Sequence, residues 1–193
     1  MKKLVLGDIH GLTCWKDIIS KENPDQVIFL GDYVSTHLLV TQQQQIDNFH
    51  EILDYKESNS DKVILLRGNH LTQHLGYYWA SCSGYFRKVA EALCKERDRI
   101  LNDTQWIYKE NNIIFSHAGV SQIWLDSSSI VSIDNINNNA YVLDVSSRPH
   151  GIDKEALIKK DINFKIYLGI PSKIAPKTSG LILSKKINHI IGG

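Results

Sequence analysis

The chain has 193 residues, long enough for one core that buries about 70% of the unfolded surface without disulfides or a partner chain. Its 22 basic and 21 acidic side chains net to +1, which excludes a generally basic nucleic-acid binder and an acidic disordered tail. Three cysteines, Cys14, Cys82 and Cys94, are odd in number and lack CxxC spacing, which argues against a disulfide framework or a thiolate zinc site and for a reducing, cytoplasmic setting. No apolar stretch approaches the ~18 residues of a membrane span.

Strand-like and helix-like segments alternate from the start. Leu4-Val5-Leu6 is a short apolar run ending on Gly7-Asp8, followed by a helical stripe of Leu12, Trp15, Ile18 and Ile19 that Asn23-Pro24 breaks. Val27-Ile28-Phe29-Leu30 again ends on Gly-Asp, at Gly31-Asp32. The tract Gln42 to Gln45 reads as a polar helix start ahead of the stripe Ile46, Phe49, Ile52 and Leu53. Val63-Ile64-Leu65-Leu66 closes on Arg67-Gly68-Asn69-His70, where a solvated strand end is the ordinary alternative for Arg67. Short strands without alternation, separated by helices, predict parallel strands buried on both faces.

Farther on, the pattern predicts one helix from Tyr85 to about Leu101, with Phe86, Val89, Ala90 and Leu93 inward. Trp106-Ile107-Tyr108 and Ile113-Ile114-Phe115 predict a β-hairpin around Lys109 to Asn112, its second arm ending on Ser116-His117. From Ser127 to about Lys177 the pattern weakens into Ser- and Asn-rich stretches with Pro149, Pro171 and Pro176, predicting loops. Ile187 to Gly193 predicts a last strand. No repeat or linker divides the chain, so one domain over residues 1–193 is expected.

What stands at the strand ends carries the chemistry. Asp8 and His10 follow the first strand, Asp32 the second, Asn69 and His70 the third, and His117 a fourth. In open α/β sheets, ligands bind outside the carboxyl ends of the strands, so these side chains should converge. Taken singly, each has an ordinary reading: a Gly-Asp turn, or a hydrogen-bonded structural histidine. Coincidence at four successive strand ends is a much poorer explanation. Carboxylates, an amide oxygen and imidazoles form a mixed O/N shell suited to Mn²⁺, Fe²⁺ or Zn²⁺, and less to Ca²⁺.

The blocks Gly7-Asp8-Ile9-His10-Gly11, Gly31-Asp32-Tyr33-Val34, Leu66-Arg67-Gly68-Asn69-His70 and Ser116-His117-Ala118-Gly119 resemble the signature blocks of the calcineurin-like metallophosphoesterases. The branch they resemble holds the serine/threonine protein phosphatases and small bacterial and phage phosphatases. The resemblance implies a four-layer α/β/β/α sandwich and two divalent ions, manganese foremost. It places Asp8 and His10 on the first ion, Asp32 as a bridge, and Asn69 with His117 on the second. His70 becomes the general acid. The implied activity is hydrolysis of a phosphate ester of a protein, a nucleotide or a small molecule by a hydroxide generated between the two ions.

Two departures qualify the match. Where the family commonly carries Gly-Asp-x-x-Asp-Arg-Gly, this chain has Ser35, Thr36 and His37, losing the carboxylate that pairs with the acid and the phosphate-binding arginine. His37 and Arg148 are candidate substitutes for substrate binding, and Leu71 stands where an acidic residue commonly follows the third block. The late Gly-His block is also missing. Ile190-Ile191-Gly192-Gly193 stops where that histidine would come next, so truncation before a last ligand is expected, with His189 the less favoured substitute. A degenerate, non-catalytic member acting as a metal-binding interaction module is the alternative function.

Overall fold

A computed structural model describes residues 1–36, 38–76, 82–111, 113–117 and 190–191. The candidate substrate residues His37 and Arg148, the alternative ligand His189 and the loop region 127–177 lie outside these described residues. Chain order runs β1 (Lys3–Leu6), α1 (Trp15–Glu22), β2 (Gln26–Phe29), α2 (Gln42–Ser58), β3 (Val63–Leu66) and α3 (Asn69–His74). It continues with α4 (Arg87–Lys95), α5 (Arg97–Asp103), β4 (Thr104–Gln105), β5 (Ile107–Glu110), β6 (Ile113–Ser116) and β7 (Ile190–Ile191).

Local chemistry explains the boundaries. Asn23 ends α1 in the left-handed region at φ 41°, its N–H donating to the Ile19 carbonyl, and Pro24 follows. The glutamine tract does start α2. Thr41 Oγ1 accepts from the Gln44 N–H at 3.2 Å while Gln44 Oε1 accepts from the Thr41 N–H at 2.8 Å, a reciprocal cap.

Strands β1 to β4 form one sheet in that order, all neighbours parallel. Strands β5 and β6 are antiparallel, and β7 adds parallel to β6, forming a second sheet in the order β5-β6-β7. Alternate side chains of the first sheet reach opposite faces. Leu4, Leu6, Val27, Phe29, Val63 and Leu65 join Trp15, Phe49, Leu53, Val89 and Leu93 from the helices. Val5, Ile28, Leu30 and Leu66 instead meet Ile113 and Phe115 of the second sheet. Burial on both faces is why these strands read as unbroken apolar runs, each fully buried Leu, Ile or Phe contributing about 1.5–3 kcal/mol.

The structure revises three details. The helix expected from Tyr85 to Leu101 is two helices parted at Glu96, whose N–H caps the Leu93 carbonyl and whose side chain meets His50 and Arg99. Ile100, beyond the break, still packs into the core. The hairpin turn is tighter than expected, because pairing extends through Glu110 and Ile113. Arg67 is half-buried and anchored, not a free strand end: its guanidinium donates to Thr104 Oγ1 and to the carbonyls of Leu101 and Thr104, and lies 5.3 Å from the Trp106 ring centroid. It thereby fixes the end of α5 beside β3.

Candidate metal centre

The loops after β1 and β2 are bound to each other before any side chain is considered. Ile9 and His10 N–H groups both donate to the Asp32 carbonyl, at 3.0 and 2.7 Å, and Gly11 N–H donates to the Tyr33 carbonyl at 2.8 Å. His10 and Asp32 take positive φ, 45° and 49°. Such backbone costs of order 1–3 kcal/mol in a non-glycine residue and persists only where the surroundings over-determine it. Gly68 serves by having no side chain: a Cβ there would lie 2.1 Å from Asp32 Oδ1. Tyr33, fully buried, donates its hydroxyl to the Leu66 carbonyl and joins the β2 and β3 ends.

This frame brings the six strand-end residues together. Asp32 Oδ1 accepts the His70 N–H at 3.0 Å, while Oδ2 faces His117 Nε2 at 3.3 Å and His70 Nε2 at 3.8 Å. His117 Nε2 also lies 3.0 Å from Asn69 Oδ1, and His10 Nε2 lies 3.7 Å from Asp8 Oδ2. His10 Nδ1 donates to the Val34 carbonyl at 3.0 Å, leaving Nε2 turned to the cluster. Asp8, His10, Asp32, Asn69 and His70 follow strands of the first sheet, whereas His117 arrives from β6 of the second. The site is therefore built across two sheets.

Potential ligand atoms fall into two metal-sized groups. Those of Asp8, Asp32 and His117 all lie within 4.8 Å of one another, as do those of His10, Asp32 and His70. Asp32 belongs to both. Asp8 Oδ1 is buried without a hydrogen-bond partner among the described residues, which a cation at this position would relieve. With a carboxylate, imidazoles and an amide oxygen converging, these residues fit divalent ions of the borderline class.

Charge coupling inside the cluster is strong. Burial raises the pKa of Asp32, but His117, His70 and His10 outweigh it and hold the carboxyl at about 2. Burial works against the His117 cation, yet Asp32, Asp8 and the Leu30 carbonyl push it up to about 9. For His70, burial lowers the pKa and the two neighbouring imidazoles add to that, against the pull of Asp32. A histidine raised from 6.5 to about 9 stabilises the folded state fully below 6.5, and that stabilisation is lost as pH climbs through about 9. Thermal melts of the metal-free protein should therefore show stability falling between those values, with a smaller fall in His117→Gln. Parallel alkaline falls in the two proteins would contradict the pairing.

The structure also shows what stands in place of the absent carboxylate. Ser35 is buried at φ 73°, and its Oγ lies 3.5 Å from both His74 Nδ1 and Cys82 Sγ. It does not bond to His70, whose buried Nδ1 lacks a hydrogen-bond partner among the described residues. His74 itself escaped the sequence reading. Its spacing of four residues from His70, on one helix face, was the available signal.

A family model described as Calcineurin-like phosphoesterase matches residues 1–177. The chain belongs to the calcineurin-like phosphoesterase family. Members of this family are metal-dependent phosphoesterases, and the two groups sharing Asp32 are candidate metal-binding residues of this calcineurin-like chain. No helix among the described residues is long and apolar enough to cross a membrane.

Proposed function

We propose that this chain hydrolyses phosphate esters with two divalent cations, manganese foremost and iron or zinc as alternatives, held by Asp8, His10, Asp32, Asn69 and His117. The observation that carries the reading is the position of Asp32, a fully ionised, buried carboxylate common to both ligand groups. When bound, the two ions supply Lewis acidity, lowering the pKa of water and offsetting charge on the phosphoryl oxygens. The protein's own part is to hold this donor set in a fixed frame, so that little reorganisation is needed during reaction. In this reading His70 hands a proton to the departing oxygen, a step worth roughly 10²–10⁴-fold where it operates. Its lowered pKa favours the neutral ring in the metal-free protein, and cations beside it would lower it further, so the acid role draws on the anionic phosphate of the substrate to hold the proton.

The finer parts of the reading belong to the same proposal: a four-layer sandwich, with a second helical layer against the β5-β6-β7 sheet, forming one domain; and a soluble cytoplasmic enzyme of the serine/threonine phosphatase-like branch acting on phosphoproteins, nucleotides or small phosphate esters. Protein stripped with chelator should hydrolyse p-nitrophenyl phosphate only after Mn²⁺ is restored, with calorimetry showing uptake of the ion. Absence of both uptake and hydrolysis would refute it.

One observation favours a second reading. Ser35 turns its hydroxyl to His74 and Cys82, and His70 Nδ1 is left without a partner among the described residues. A degenerate member that binds metal and serves as an interaction module fits that loss. Mn²⁺ uptake without hydrolysis of aryl phosphate or phosphopeptide would select it.

A further inference from the structure

We propose that His74 is the positioning residue of this site, holding the first turn of α3, and with it Asn69 and His70, in place through the His70 carbonyl. The inference rests on the phosphoesterase reading for its consequences, and on the contacts of His74 for its substance. His74 is 1% exposed, and no role in metal binding or catalysis falls to it. Its Nδ1 lies 2.8 Å from the His70 carbonyl oxygen, and its Nε2 lies 3.5 Å from the Phe86 N–H. A carbonyl only accepts and a backbone N–H only donates, so the partners dictate one neutral tautomer, protonated at Nδ1. An imidazolium would aim its second N–H at the N–H of Phe86. The ring is fixed further by Tyr85, 4.6 Å away between centroids.

The need for such a clamp follows from the length of α3. Six residues give a short hydrogen-bond ladder, and the residues bearing the chemistry stand in its first turn. Side chains of the following turn reach back to hold that turn: Thr72 Oγ1 donates to the Asn69 carbonyl at 3.0 Å, and His74 to that of His70. His70 is thus pinned at both ends of its main chain, by Asp32 Oδ1 at its N–H and by His74 at its carbonyl. This matters because His70 Nδ1 has no hydrogen-bond partner among the described residues to orient the ring. Ser35, in the place where the family pattern puts a carboxylate, approaches His74 instead. The support of His70 has moved from a side-chain partner to the main chain.

Two isosteres of opposite reach test this. Asparagine at position 74 puts an amide N–H near the Nδ1 position, whereas glutamine puts its amide near Nε2 and leaves the His70 carbonyl without a donor. In His74→Gln, the weaker Mn²⁺ step should lose about 10-fold in affinity, as loss of outer support for a ligand commonly does, while His74→Asn stays within about 3-fold of the parent. The turnover of an alkyl phosphate, whose leaving group needs a proton, should fall more than that of p-nitrophenyl phosphate, with KM little changed. Equal Mn²⁺ affinities and equal turnover in the two variants would overturn the proposal. If the parent binds no Mn²⁺, the functional reading fails, and His74 is decided on metal-free protein: the His70 amide and ring resonances should move in His74→Gln and hold in His74→Asn. Nitrogen-15 spectra of the unmodified protein need no variant. The Nδ1–H tautomer at pH 7 supports the clamp, and a cation or an Nε2–H tautomer overturns it.

Discussion

Asp32→Asn is expected to abolish most activity, by at least 100-fold, and to weaken the binding of every Mn²⁺ ion the protein takes up. Loss of outer-shell support alone commonly costs 10–100-fold, and Asp32 is proposed as a ligand to both ions. Asp32 is nearly inaccessible, with Oδ1 committed to the His70 N–H and Oδ2 facing His117 and His70. An amide keeps one oxygen, which the His70 N–H will hold, and turns an NH₂ toward the two imidazoles. It also removes the charge that both ligand groups share. Calorimetric titration with Mn²⁺ beside a p-nitrophenyl phosphate assay measures both effects. A variant with the parent's metal content and rate would rule out the shared role of Asp32.

Gly68→Ala is expected to damage the site nearly as much without replacing any proposed ligand. The φ and ψ of Gly68, −97° and 167°, suit any residue, so no backbone strain is involved. What fails is space, because the new methyl would lie 2.1 Å from Asp32 Oδ1 and 2.6 Å from the Asp32 nitrogen. Asp32 or the α3 start must move, and a misplacement of about 1 Å can cost 10²-fold in rate. Overpacking of this kind costs typically about 1–3 kcal/mol of stability. Gly76→Ala supplies the contrast. Gly76 has open space around it but a φ of 81°, so alanine there should cost about 1–2 kcal/mol of stability and leave the rate alone. Melting temperatures and rates of the two variants separate crowding at the site from backbone strain away from it. Full activity in Gly68→Ala would show that the close approach of β2 and β3 ends is dispensable.

Both predictions depend on features that differ in how far the sequence alone reveals them. Leu4 to Leu6, Val27 to Leu30 and Val63 to Leu66 could be read as doubly buried parallel strands because their apolar runs do not alternate, and the first sheet has that form. The residues after each strand were legible because a strand end followed by Gly-Asp or Gly-Asn-His concentrates metal-ligand chemistry at a turn, and the family match covers residues 1–177.

Helix division and side-chain direction were another matter. Periodicity carried straight through Glu96, since Val89, Leu93 and Ile100 keep helical spacing; at the break Glu96 pairs with His50, which the chain brings there only on folding. The anchoring of Arg67 could not be read from its neighbours because its partners, Leu101 and Thr104, lie more than thirty residues away. The strand order alone could not say that His117 would come from a second sheet to within 3.3 Å of Asp32. Nor could it say that Ser35 would face His74. Local pattern determines which residue types stand at strand ends, because it follows from neighbours along the chain. Which of them meet, and which buried nitrogen is left without a partner, depends on packing between segments distant in sequence, and the tertiary structure decided it.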